Sequence, residues 1–339
     1  VASRRNRSWV PPLKTALGLL VILAVGRHVW KTWDGLAHRD PPLEFAPGWT
    51  AAAVVPYVLG LAACGAFYAR LLRESATPIG VLPAVRAYLI SHLGKYVPGK
   101  ALVLVMRAGL SLPFGARPAT AAFATLYETL TMMAAGGLLA AALFALPPAP
   151  WIGLPGTALK VPLALVGLAA GLAFLVFVEV RVFKRVAATA SLPFSNVGPD
   201  ALPRLRLGLL GEGLAWTALG WVLLGLSQVL VIHAIVPEGL AVSKYPAVIA
   251  SVALATVVGF AVPIAPGGLG VREWALWTGL GAALDHDRAV VAALLLRLVW
   301  VVGELIAAAV VLPLGGRRVA SEDAEAVEVQ AERAESEPS

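Results

Sequence analysis

Charge is what this sequence has least of. Only 14% of its 339 residues are Asp, Glu, Lys or Arg, against roughly 25% in an ordinary soluble domain. Apolar residues make up 59%, the mean hydropathy is +0.80, and the apolar stretches run long enough to cross a bilayer as helices. Period-two alternation is missing from those stretches, which excludes a transmembrane β-barrel. Cysteine is nearly absent: Cys64 alone, inside an apolar run, supports neither a disulfide framework nor a thiolate metal site. The histidines (28, 38, 92, 233 and 286) are scattered without carboxylates at ligand spacing, so no metal or other cofactor is expected. Catalytic signatures are lacking too. There is no GxSxG elbow, no Walker A sequence, no HExxH and no carboxylate cluster within a span. Asp285-His286-Asp287 comes nearest to a cluster, but it falls in an expected external turn, where solvation accounts for it. The longest polar loop, Phe183–Arg206, is too short to bury a core of its own.

What is present reads as an all-α, polytopic integral membrane protein. Full spans are expected at Leu13–Trp30, Trp49–Leu72, Pro118–Leu146, Leu159–Val180, Leu207–Val236 and Arg288–Leu314. Two further apolar regions, Leu82–Leu112 and Pro246–Leu284, are each interrupted, and each fits either a re-entrant hairpin or two short spans. The basic start VASRRNRSWVPPLK precedes the first apolar run, which lacks a small-residue cleavage site and reads as an uncleaved span. With that start cytoplasmic, Arg4, Arg5, Arg7, Lys14, Arg70, Arg73, Arg86, Arg117, Arg181, Lys184, Arg185, Arg204, Arg206, Arg317 and Arg318 fall on one side. Fewer basic residues, Arg27, Lys31, Arg39, Lys160, Lys244 and Arg288, fall on the other. The positive-inside rule then puts both termini in the cytoplasm and the protein in a cell (inner) membrane. Each half becomes span, span, hairpin, span, with opposite orientation: an inverted repeat of the kind found in alternating-access transporters.

The domain reading follows. Residues 1–12 form a basic cytoplasmic segment, 13–315 the membrane domain with halves at about 13–146 and 159–315, and 316–339 an acidic tail. The tail carries Glu322, Asp323, Glu325, Glu328, Glu332, Glu335 and Glu337 against Arg333 alone, a composition expected to stay solvated and disordered. The remaining chain is therefore more basic than the overall charge of +7, which suits anionic lipid headgroups rather than nucleic acid.

The two interruptions are the richest in chemistry. GKYVPGK (Gly94–Lys100) and PGGLGVRE (Pro266–Glu273) place helix breakers and charges inside membrane-apolar sequence. Broken backbone at membrane depth is tolerated only where protein buries it or a wet cavity is lined by it. Charges there are functional candidates. Lys95, Lys100 and Arg107, beside the turn at Pro98 and Gly99, would suit a phosphate, with free helix-start N–H groups adding to the site. The bland alternative is that Lys95 and Arg107 snorkel to the interface. In the second break, Pro266, Gly267, Gly268 and Gly270 supply permissive backbone, Arg272 an anion clamp, and Glu273 a counter-charge. There the alternative is a structural ion pair at a buried helix start.

Three charges lie within spans. Glu128 has no basic residue one turn away and must pair across helices, a hairpin lysine being one candidate, stay protonated, face water, or meet an amine. Arg297 and Glu304 are two turns apart on one face, too far for a local pair, so each needs a partner elsewhere. Glu212, near a helix start, is explained by the helix dipole.

GKYVPGK with Arg107, Glu128 in the following span, and PGGLGVRE together resemble the lysylphosphatidylglycerol synthase transmembrane region, the flippase-like UPF0104 group, over roughly residues 10–315. The resemblance implies movement of a phosphate-bearing lipid or lipid-linked headgroup between leaflets. It does not imply the aminoacyl transfer of larger relatives, whose synthase part this sequence does not contain. A membrane phospholipid or a polyprenyl-phosphate-type lipid is the expected ligand, with a separately encoded lipid-modifying enzyme and self-association as candidate partnerships. Two other readings stay open: a membrane-embedded transferase acting on a lipid phosphate, and a secondary transporter of a small anion.

Overall fold

The computed structural model describes residues 45–75, 79–96, 101–146, 157–179, 181–183, 205–236, 238–262, 270–281 and 283–315. The expected first span Leu13–Trp30, the basic start, the acidic tail, and the site candidates Pro98, Gly99, Lys100, Pro266, Gly267 and Gly268 lie outside those residues. Among the described residues there are helices and no strands.

The helices are α1 (Pro47–Arg73), α2 (Val81–Ser91), α3 (Ala101–Ser111), α4 (Pro118–Ala145), α5 (Thr157–Val178), α6 (Leu207–His233), α7 (Tyr245–Ala261), α8 (Val271–Leu280) and α9 (His286–Val311). Within α1 the helix is interrupted at Ala53. Pro56 lies just beyond, and it can neither donate to the Ala52 carbonyl nor avoid crowding it. Proline also opens α4 at its first position, where its missing N–H costs nothing. At the start of α9 the Asp285 side chain accepts from the Arg288 N–H at 2.9 Å, a helix cap.

Six of these helices are long and apolar enough to cross a membrane: α1, α4, α5, α6, α9, and α7 with its leading turn (Val242–Ala261). The first five coincide with expected spans to within a few residues. The interrupted regions turn out to be unlike each other. α2 and α3 have eleven residues each, about 16 Å, half of a hydrocarbon core of about 30 Å. α2 enters beside the C-terminal end of α9, where Arg86 donates to the carbonyls of Val311 (3.1 Å) and Leu312 (3.0 Å). The 3-10 turn His92–Tyr96 that follows α2 reaches Glu304, two turns further into α9. The first region is therefore a pair of short helices packed on each other, neither of spanning length, with His92, Gly94 and Lys95 interrupting the apolar run after α2. In the second, α7 keeps an uninterrupted apolar sequence from Tyr245 to Ala261 and acquires spanning length, whereas α8 has ten residues.

The helix neighbours pair off when the two halves are exchanged. α1 packs on α2 as α6 packs on α7; α2 on α3 as α7 on α8; α3 on α4 as α8 on α9. Across the halves, α2 meets α9 as α7 meets α4, and α1 meets α9 as α6 meets α4, while α1 and α6 pack on each other. This is the neighbour pattern of a two-fold repeat. The polar ends of α1 and α6 lie side by side, with Arg70 Nε donating to Glu212 at 2.8 Å and Arg206 to Glu74 at 3.1 Å. Both pairs are partly exposed, and such pairs contribute at most about 1 kcal/mol. Glu212→Ala is accordingly expected to change thermal stability in detergent only slightly, as a melting curve will show.

Several buried hydroxyl side chains are satisfied within their own helices. Thr125, Thr131, Thr217 and Ser251 each donate to the carbonyl four residues earlier, at 2.7–2.8 Å, which removes the need for a partner in lipid. Close approach of backbones matters most between α4 and α5. A Cβ on Gly137 would stand 2.6 Å from the Gly171 nitrogen and 2.7 Å from the Gly167 oxygen, both rigid backbone. Gly137→Ala should push α5 off α4 and destabilise by about 1–3 kcal/mol, measured by unfolding in detergent with Gly48→Ala, where a Cβ meets nothing, as control.

Candidate functional site

Four cations come together between the hairpins and the long helices, and three of them have carboxylate partners. Arg107, on the returning arm α3, is sealed in with Glu128 of α4, the two side chains 2% and 1% exposed and 3.2 Å apart. Its Nε donates to Ser91 Oγ at 2.9 Å, and its guanidinium carbon stands 3.9 Å from the centre of the Tyr88 ring. Tyr88 in turn donates to Glu128 Oε1 at 3.1 Å. Glu128 thus pairs with the hairpin arginine, and the described hairpin lysine, Lys95, pairs elsewhere. Arg107 does not snorkel: with its counter-ion, a hydroxyl and an aromatic face around it, it is held at depth.

The second half repeats this lock with the charges exchanged. Glu273, on α8, pairs with Arg297 of α9, the contact equivalent to α3 on α4. Its other oxygen accepts the Gly270 N–H at 2.7 Å, so the carboxylate also caps its own helix. Gly270 needs to be glycine, because its φ of 84° lies in the left-handed region. The cap has a consequence for the site: the Gly270 donor at this helix start is already taken by protein and does not wait for a ligand.

Lys95, at the tip of the first hairpin, is hydrogen-bonded to Glu304 of α9, as is Tyr57 of α1. His92 Nε2 lies 3.9 Å from the same Glu304 oxygen. So Arg297 and Glu304, although on one helix, take partners from opposite hairpins, Glu273 and Lys95.

Arg272 is different. Its guanidinium carbon lies 4.2 Å from the centre of the Trp300 ring, and Trp300 stacks on Tyr57 with ring centres 4.7 Å apart. No hydrogen bond or ion pair to Arg272 occurs among the described residues. Its backbone is clamped in place: a Cβ on Gly259 of α7 would meet the Arg272 Cβ at 2.9 Å. A guanidinium with a fixed stem, one face on an indole and its five donors unspent is built to receive a planar or tetrahedral oxyanion. Arg272 and Lys95 come from opposite hairpins and lie within electrostatic range of each other.

The sequence had pointed to Lys95, Arg107, Glu128, Gly270, Arg272, Glu273, Arg297 and Glu304, and the structure gathers all of them at the hairpin contacts. It adds Tyr57, Tyr88, Ser91, His92 and Trp300. Their only sequence signal is an aromatic or polar residue well inside an apolar helix, which mere packing explains equally well. At the opposite end from the Arg70–Glu212 pair, a cleft of about 280 Å3 is lined by Glu238, Lys244, Asp285 and Arg288 among others. There Arg288 donates to Glu238 at 2.9 Å. Glu238's carboxyl is held below its ordinary range first by its own backbone N–H and then by Arg288.

No curated protein matches this sequence significantly. Residues 13–308 match the family described as the lysylphosphatidylglycerol synthase TM region, which takes in α1 through nearly all of α9. Six apolar helices of spanning length among the described residues, and that match over most of the chain, place it in one class: it is a multi-pass membrane protein of the lysylphosphatidylglycerol synthase transmembrane-region family.

Proposed function

We propose that this protein moves a phosphate-bearing lipid headgroup between leaflets, with Arg272 as the group that takes the phosphate. The observation carrying this reading is a guanidinium with no carboxylate hydrogen-bonded to it among the described residues, at a contact where Lys95, Arg107 and Arg297 each have one. Membership of a family tied by its description to phospholipid chemistry supports a lipid as the ligand. An anionic headgroup enters the polar region between the hairpins while its acyl chains remain in the bilayer, so only the headgroup needs a polar path. Lys95 supplies a second positive charge from the other hairpin. The half-exchanged helix neighbours suit a rocking of one half against the other around this point.

A transferase acting on the same phosphate needs a general base at the reacting atom. Glu128 and Glu273 are each engaged with an arginine, so Glu304, where Lys95 holds one oxygen only, is the carboxylate such a base would have to be. The test is movement of headgroup-labelled phosphatidylglycerol, phosphatidylethanolamine and polyprenyl phosphate in proteoliposomes, followed by exposure to an external quencher. Protein-dependent movement of at least one lipid, lost with Arg272→Ala, is the expected result. Chemical conversion of a lipid phosphate in detergent, without movement, would replace this reading by the transferase.

A further inference from the structure

One carboxylate oxygen in the core has no hydrogen-bond partner among the described residues. Glu304 Oε1 is crowded, holding Tyr57 and Lys95. Glu304 Oε2, on a side chain with 0% exposure, has no hydrogen bond among the described residues. A buried carboxylate oxygen left without a donor is costly, by about 1–3 kcal/mol or more. Oε2 is also closed to a water-sized probe, so neither a hydrated metal ion nor a headgroup ammonium fits against it as it stands. The donor that does fit is a proton.

We propose that Glu304 is the proton-binding site that couples headgroup movement to a proton gradient. This rests on the translocation reading above. When a proton bonds to Oε2, the carboxylate becomes a neutral acid and Lys95 loses its counter-ion. The Lys95 ammonium keeps its own proton and turns to the phosphate beside Arg272. When the proton leaves, Glu304 recaptures Lys95 and the headgroup is released.

Tyr57 from α1 and His92, Lys95 and Tyr96 from the first hairpin face Glu304, and Arg272 from α8 and Arg297 from its own helix lie within electrostatic range of Tyr96. With Glu273 paired to Arg297, the cluster of Lys95, Arg272, Arg297, Glu273 and Glu304 has one excess positive charge. Protonation of Glu304 adds another. An anionic headgroup therefore binds better when the proton is on, and by linkage the proton binds better when the headgroup is in. The two travel in the same direction. His92, 20% exposed and 3.9 Å from the Glu304 carboxylate, is the titratable group placed between it and water.

Two measurements test this. The first needs no lipid movement: infrared difference spectra of the full chain in detergent between acid and alkaline pH. A carboxylic C=O stretch characteristic of an acid out of water is expected in wild type and lost in Glu304→Gln. Absence of the band, or its survival in Glu304→Gln, overturns the proposal. The second is lipid movement under an imposed pH difference in proteoliposomes. One proton per headgroup shifts the steady-state leaflet ratio about tenfold per pH unit, and Glu304→Gln should flatten that dependence. A Glu304 band with movement indifferent to the pH difference overturns the coupling alone. A Glu304 band with no movement of any lipid overturns the translocation reading and the coupling with it.

Discussion

Arg107→Ala is expected to destabilise the protein by about 3–5 kcal/mol, the largest effect of any single substitution considered in the bundle. Removing one member of a buried pair leaves the other charged, out of water and unpaired. Here that member is Glu128, 1% exposed, left with the Tyr88 hydroxyl and a 3.4 Å contact to Thr129. The guanidinium's face on Tyr88 and its bond to Ser91 go as well. The returning arm α3 would lose what fixes its depth against α4. Arg107→Ala should therefore lower the detergent melting temperature sharply and reduce the yield of monodisperse protein. Replacing both charges, Arg107→Met with Glu128→Leu, should recover most of the loss, because a well-packed apolar pair can match a buried ion pair in stability. If the double variant melts no higher than the single one, the pair is not the lock described here. If the double variant is stable yet moves no lipid, the pair also serves transport.

The same lock in the other half uses the opposite charges. Arg107 on a hairpin arm holds Glu128 on the next long helix; Glu273 on a hairpin arm holds Arg297 on the next long helix. A repeat that keeps geometry while exchanging charge shows that depth and pairing are what the hairpin needs from these positions. It also separates two kinds of core charge. Those bound to the following helix fix the hairpins in place, and those facing across the halves, Lys95 with Glu304 and the unpaired Arg272, can change partner without unfolding either half.

Five expected spans were legible in the sequence because twenty-residue apolar runs have few other uses. The spanning length of α7 was not, since its region was expected to be an interrupted hairpin or two short spans. Partner choice was not legible. Glu128 lacks a basic residue one turn away, which says only that its partner lies on another helix. Arg107 could be identified as that partner only once α3 had folded back beside α4. Arg297 and Glu304 show the same limit: their seven-residue spacing ruled out each other and left the choice to tertiary packing. The unequal depth of the hairpins was equally hidden, since Gly and Pro mark where a helix stops but not how far its arm has travelled. What the sequence did disclose was the address of the chemistry: charges expensive in lipid cluster at two breaks, and Lys95 and Arg272 beside them lie within electrostatic range of each other.

Arg272→Ala is expected to slow lipid movement on the order of 100-fold while leaving the fold nearly intact. A hydrogen bond to a charged group contributes about 1.5–3 kcal/mol, and a guanidinium offers a phosphate two in parallel. Loss of the better part of that is roughly two decades in rate if the clamp acts on the rate-limiting state. Stability should change little, because no protein acceptor among the described residues depends on this side chain, in contrast to Arg107. Arg272→Lys keeps the charge but not the planar fork, so it should recover only part of the rate. Trp300→Leu removes the indole face 4.2 Å from the guanidinium, an attraction of about 0.5–2 kcal/mol, and should cost a several-fold loss by letting the clamp wander. The order wild type, Trp300→Leu, Arg272→Lys, Arg272→Ala, measured as initial rate per folded molecule, is the signature of a positioned anion receptor. A purely structural arginine would instead give rates that follow melting temperature. An Arg272→Ala protein that melts normally and moves lipid at the wild-type rate would show that the phosphate goes elsewhere.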